Sequence, residues 1–140
     1  KMTLMDSQSK RVDFMRDCCA GLGLLQAEPT QMRAEEAQEL REGYDFAVAR
    51  AVARLDVLVE LMLPLVRVGG KLIAMKGPRG DDELYEAAHA ITRLGGGPGR
   101  VEGYRIPGTD ICHSLIIIEK KRPTPREYPR RFAQIKKAPL

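Results

Sequence analysis

Residues 44–78, YDFAVARAVARLDVLVELMLPLVRVGGKLIAMKGP, decide the fold. Residues 44–49 form a short apolar run with β-formers, residues 55–63 are almost wholly aliphatic, and residues 71–76 form a second apolar run entered through Gly69 and Gly70. Two buried runs flanking a helix predict a parallel strand pair joined by a crossover. In open sheets of that kind ligands sit beyond the carboxyl ends of the strands. Those ends are residues 49–51 and 75–77, which draws attention to Arg50 and Lys76.

Working outward, residues 2–5 predict a strand that stops at Asp6-Ser7, and residues 10–22 carry Val12, Met15, Cys18, Cys19 and Leu22 at helical spacing before Gly23. Residues 24–32 hold the next strand, which Pro29 assigns to a sheet edge. A short helix is expected from Arg33 to about Leu40, its first turn made acidic by Glu35 and Glu36. Beyond the central unit, Asp81 and Asp82 are placed to cap a helix with Leu84, Ala87, Ala88, Ile91 and Leu94 on one face. GGGPG at 95–99 breaks the chain, and residues 100–106 and 114–118 read as an antiparallel hairpin. The predicted fold class is α/β, a mostly parallel sheet closed by an antiparallel C-terminal hairpin. Residues 1–121 are expected to form the domain and residues 122–140, with four prolines among them, an extended basic tail with no regular element.

The totals narrow the class. With 140 residues and ordinary apolar and charged fractions, disorder, collagen and membrane spans are disfavoured, and a cytoplasmic protein is expected. Cys18, Cys19 and Cys112 have neither metal-ligand nor redox spacing. The net charge of +4 is unevenly held, because residues 119–140 carry eight Lys or Arg against two Glu. Such a tail suggests a polyanionic partner, or simply a solvated terminus.

The residues that can carry chemistry lie at the strand ends. Asp6 can accept two ribose hydroxyls, as acidic residues do at the second strand tip of nucleotide-binding domains, or it can cap the helix that follows. Ala34 and Glu35 sit where side chains reach an adenine edge, or merely form a charged helix start. Arg50 points into a crevice, where it can hold a carboxylate or phosphate, or it forms a salt bridge to a nearby loop. Arg54 extends a basic rim, and Lys76 either approaches a substrate phosphate or marks the strand end. Neither His89 nor His113 has a partner at telling spacing, and no zinc, P-loop or triad pattern is present.

Taken together, LMDSQSKRVDF, MRAEEA, YDFAVARAVARL, LPLVRVGGKLIAMKGP and RPTPREYPRRFAQIKKAPL resemble the RsmG (GidB) family of small-subunit ribosomal RNA methyltransferases over nearly the whole chain. The resemblance implies a Rossmann-like class I fold and S-adenosylmethionine as cofactor. It also implies N7 of a guanine in 16S rRNA, within the small ribosomal subunit, as the methyl acceptor. By the same resemblance Asp6, Ser7 and Gln8 fall at the ribose, Ala34 and Glu35 at the adenine pocket, and Arg50 at the cofactor site. Arg54, Lys76, Arg130, Arg131, Lys136 and Lys137 would face RNA, with no catalytic side chain and no metal. The family's glycine-rich cofactor loop and the strand before it have no counterpart in these residues, so the domain is expected to be truncated at its amino end. A non-catalytic RNA-binding or assembly module, and another nucleotide-binding α/β enzyme, are the competing readings.

Overall fold

A computed structural model describes residues 1–140 and resolves them into two compact units, Lys1–Ala37 and Gln38–Leu140. In the first, β1 (Met2–Asp6) and β2 (Ala27–Gln31) pair in parallel, with Met2 opposite Ala27 and Asp6 opposite Gln31. The connecting helix α1 (Ser9–Gly21) packs on both strands. Its expected apolar face is only partly used. Val12 is buried, Met15, Cys18 and Cys19 are half-buried, and Leu22 is exposed. Pro29 lies in β2, whose only partner strand is β1, as its missing N–H requires.

The second unit holds the central stretch. Here β3 (Tyr44–Arg50), α2 (Leu55–Met62) and β4 (Val66–Lys76) form the predicted parallel crossover. They are followed by α3 (Gly80–Glu86), α4 (Ala88–Arg93), β5 (Arg100–Arg105), β6 (Cys112–Glu119) and α5 (Phe132–Lys137). The strand order is β3-β4-β6-β5, with β6 antiparallel to both neighbours, so the expected hairpin is present. β3 is an edge strand of this sheet. One face of the sheet presents Ala47, Ala49, Leu72, Ala74, Ile116 and Ile118 to a core completed by Leu58, Val59, Ile91 and Leu94. On the other face Phe46, Val48 and Met75 are exposed. No helix is long and apolar enough to cross a membrane.

Four local expectations need correction. Residues 33–40 form two 3-10 turns, Ala34–Glu36 and Gln38–Leu40, because so short a segment gains too few bonds to offset helix nucleation. β4 begins five residues earlier than predicted. Tyr44 pairs with Val66 but Phe46 pairs with Lys71, and the extra residues are absorbed by a bulge at Gly69 and Gly70. Gly70 is needed there, since a Cβ would stand 2.6 Å from the Asp45 carbonyl oxygen. Asp81 and Asp82 make no cap hydrogen bond; they lie inside the first turn of α3, where the dipole favours them and Asp82 also pairs with Arg79 at 3.5 Å. Ala90, not Ala88, completes the buried face of α4.

The largest correction concerns residues 122–140, which are neither extended throughout nor merely superficial. Thr124, Tyr128 and Ile135 are buried, and α5 packs on α2. Prolines confine the strap but do not prevent side chains from anchoring it. The Arg41 guanidinium donates to the carbonyls of Thr124, Tyr128 and Pro125, while the Thr124 hydroxyl donates to Leu94 O at 2.7 Å. Gly95 O accepts from Lys121 N and Arg122 N, so GGGPG is the seat of the strap and not a phosphate cradle. Gly95 has φ +89°, and a Cβ there would lie 2.2 Å from Arg122 O. Gly95→Ala is therefore expected to cost at least about 1–2 kcal/mol from conformation, with the clash added. Urea unfolding checks this, and an unchanged midpoint would contradict it.

Candidate cofactor site

At the carboxyl end of the β1–β2 pair, Asp6 is the last residue of β1, and its carboxylate closes the turn that follows. Oδ1 accepts from Gln8 N at 2.8 Å and Oδ2 from Arg11 Nη1 at 3.3 Å. The Gln8 amide, more than Arg11, holds the Asp6 carboxyl below its ordinary pKa, so the group is ionised at neutral pH. The side chain thus shapes the turn before α1 without acting as its N-cap, which is Gln8. A carboxylate has about four lone-pair positions, so two contacts leave acceptor capacity for a diol.

The loop after β2 leaves from the same end, because Asp6 pairs with Gln31 and Met32 N donates to Asp6 O at 3.1 Å. Gln31 Nε2 reaches Ser7 O at 3.5 Å. Ala34 and Glu35 open the 3-10 turn there. The first N–H groups of a helical turn lack partners within it, so the backbone of these two residues offers donors suited to a heterocycle edge. The Glu35 side chain is largely buried and lies 3.7 Å from Arg33 Nη1. Within this unit, then, Asp6–Gln8 and Ala34–Glu35 are gathered at one end of one strand pair.

In the second unit, Arg50 is the last residue of β3, opposite Met75. It is exposed, and its guanidinium has no ion pair or hydrogen bond. The next residue, Ala51, has φ +52°, an uncommon conformation for a residue with a side chain. Arg54 is exposed too, but it is shared between Asp56 at 3.1 Å and Glu86 at 3.2 Å.

Two expected RNA-side residues are turned inward. Lys76 donates to Ala53 O at 2.6 Å and pairs with Glu83 at 2.7 Å, leaving 10% of its side chain exposed. Arg130 is bound by Glu60, through Nε at 2.8 Å and Nη2 at 2.6 Å, and its backbone N donates to the same carboxylate at 3.0 Å. In both cases a neighbouring carboxylate uses the donors that a phosphate would need. Arg131, Lys136 and Lys137 remain exposed. Glu83 and Glu60 were not singled out from sequence. The available signal was Glu60 itself, a carboxylate in an otherwise aliphatic helix, which demands a buried partner.

No group of three or more His, Cys, Asp or Glu side chains is placed to hold a metal ion. Within the first unit, the Asp6 carboxylate and the backbone donors of the Ala34–Glu35 turn suit the hydroxyls and ring edge of a nucleoside.

Similar folds define the class first. A SAM-dependent methyltransferase from Methanosarcina mazei superposes with a TM-score of 0.58 at 15% identity, covering 85% of this chain and 81% of that one, so the fold is that of the Rossmann-like methyltransferases. The sequence model described as rRNA small subunit methyltransferase G (GidB) matches residues 1–108, and the chain belongs to that family. A ribosomal RNA small subunit methyltransferase G from Alkaliphilus metalliredigens is 46% identical over 143 residues, spanning 100% of this chain and 60% of the relative. Its counterpart from Lactobacillus johnsonii is 44% identical, spanning 99% and 59%. The chain therefore spans about three-fifths of the length of the curated relatives it matches.

Proposed function

We propose that the chain carries the ribose, adenine and Arg50 side of the S-adenosylmethionine site of an enzyme that methylates N7 of a guanine in 16S rRNA. The observation that carries this reading is Arg50: an exposed, unengaged arginine at the carboxyl end of a parallel strand, in a chain of the rRNA small subunit methyltransferase G family. Asp6 accepts from the ribose hydroxyls, the Ala34–Glu35 segment meets the adenine edge, and Arg50 holds the carboxylate of the cofactor's amino-acid arm. When bound, S-adenosylmethionine supplies a methyl group on a positively charged sulfur. Guanine N7 has an in-plane lone pair, so the chain need not provide a general base. Its residues contribute by alignment and by excluding water.

On the RNA side the proposal rests on Arg131, Lys136 and Lys137, with Arg54 as a further rim cation. Replacing the first three by Gln should weaken RNA binding and lower the slope of log affinity against log salt by about 2, at about 0.7 per phosphate contact on single strands. Filter binding to small-subunit RNA across a salt series checks this; an unchanged slope would remove the three residues from the RNA surface. The overall reading is tested by calorimetry with S-adenosylmethionine and by transfer of labelled methyl to small-subunit RNA. Affinity for a dinucleotide in place of S-adenosylmethionine would overturn it.

A further inference from the structure

The tip of β3 is braced by an ion pair that the cofactor reading does not use. Lys76 and Glu83 stand 2.7 Å apart, with 10% and 23% of their side chains exposed. Each also holds a backbone group of the segment that follows Arg50. Lys76 Nζ donates to Ala53 O at 2.6 Å, and Glu83 Oε2 accepts from Leu55 N at 3.0 Å. The pair therefore grips both sides of residue 54, where the chain leaves the strand tip and enters α2. Its own footing is firm, since Lys76 closes β4, Glu83 lies in α3, and the loop between them is tied to β6 by Ser114 Oγ donating to Gly77 O at 2.7 Å.

Between Arg50 and that grip lies Ala51 at φ +52°. A left-handed residue with a Cβ persists only when its surroundings over-determine it. The two anchored backbone groups provide that constraint on a segment of only a few residues. We propose that Lys76 and Glu83 are positioning residues that fix the 51–54 segment and, through it, the direction in which Arg50 presents its guanidinium to the cofactor. The inference rests on the reading of Arg50 given above. Neither residue touches the ligand in this scheme; each acts through Arg50.

A double-mutant cycle on the 140-residue chain tests it, with S-adenosylmethionine affinity measured by calorimetry and folding monitored by circular dichroism. Lys76→Met and Glu83→Gln should each weaken binding roughly tenfold, a coupling of the size seen within one hydrogen-bond network. Lys76→Arg, which keeps a donor and the charge, should recover most of it. Added to Arg50→Ala, Lys76→Met should have no further effect. Should Lys76→Met prove poorly folded, Glu83→Gln carries the test, because it keeps an acceptor for Leu55 N while removing the ion pair. Wild-type binding by Lys76→Met and Glu83→Gln, alongside a loss in Arg50→Ala, would overturn this proposal alone. So would an equal loss on adding Lys76→Met to the wild-type and Arg50→Ala backgrounds, which would mark a general structural role. A wild-type chain without affinity would overturn the cofactor reading and this inference with it.

Discussion

Arg130→Ala is expected to destabilise the chain by about 3 kcal/mol, the low end of the range for breaking a buried ion pair. Glu60 is fully buried in α2, and Arg130 supplies two guanidinium contacts to it. Removing the guanidinium leaves a fully buried carboxylate without its counter-charge, in a helix made mostly of Leu, Val and Met. The low end applies for two reasons. The backbone N–H of residue 130 would still donate to Glu60, and the Arg130 side chain already retains 25% exposure. Even so, the loss is a large share of the ~5–15 kcal/mol that a domain normally has. Pairing Glu60→Leu with Arg130→Met should recover much of it, because two apolar groups of similar size leave no unpaired charge. Urea unfolding of the single and double variants decides the matter: a loss below about 0.5 kcal/mol for Arg130→Ala, the range of ordinary surface substitutions, would mean that the pair is ornamental. The result bears on function because it separates the tail's cations into those that fasten it and those still open to the proposed RNA contact.

That separation was not legible from sequence, and the reason is physical. Composition shows eight cations after residue 118 but not which carboxylates lie across the fold from them. Glu60 is 70 residues away from Arg130, and Glu42 is 78 away from Lys120. Lys120 illustrates the same point: it is the first of the eight cations in residues 119–140, yet it is fully buried. Its ammonium donates to Leu63 O at 2.8 Å and Val66 O at 3.1 Å, and burial pushes its pKa down. What could be read was whatever depends on neighbours in sequence. The period of the apolar runs gave β3, α2 and β4, and turn chemistry gave the hairpin of β5 and β6. The strand-tip positions of Asp6 and Arg50 followed from those runs. The two-unit division followed from none of this. Lys76 shows the limit of positional reasoning. It is at a strand tip as predicted, but its side chain follows the nearest carboxylate instead of solvent.

The affinity of the chain for S-adenosylmethionine is expected to fall about tenfold or more in Arg50→Ala, with stability unchanged to within about 0.5 kcal/mol. The two halves of that expectation come from the same observation. An exposed arginine with no partner contributes little to folding, so its removal should leave the urea midpoint where it was. A contact from guanidinium to carboxylate is charge-assisted and is worth roughly 1.5–3 kcal/mol, or about 10- to 100-fold at 1.4 kcal/mol per decade. Solvent access at the strand tip favours the lower figure. Arg50→Lys should fall between, because it keeps the charge but loses the planar fork that engages both oxygens of a carboxylate. Raising salt should narrow the gap between wild type and Arg50→Ala, since an exposed pair is screened over about 8–10 Å at ordinary ionic strength. Equal affinities for wild type, Arg50→Lys and Arg50→Ala would show that the tip of β3 does not face the cofactor. A loss of stability matching the loss of affinity would show instead that Arg50 belongs to the fold.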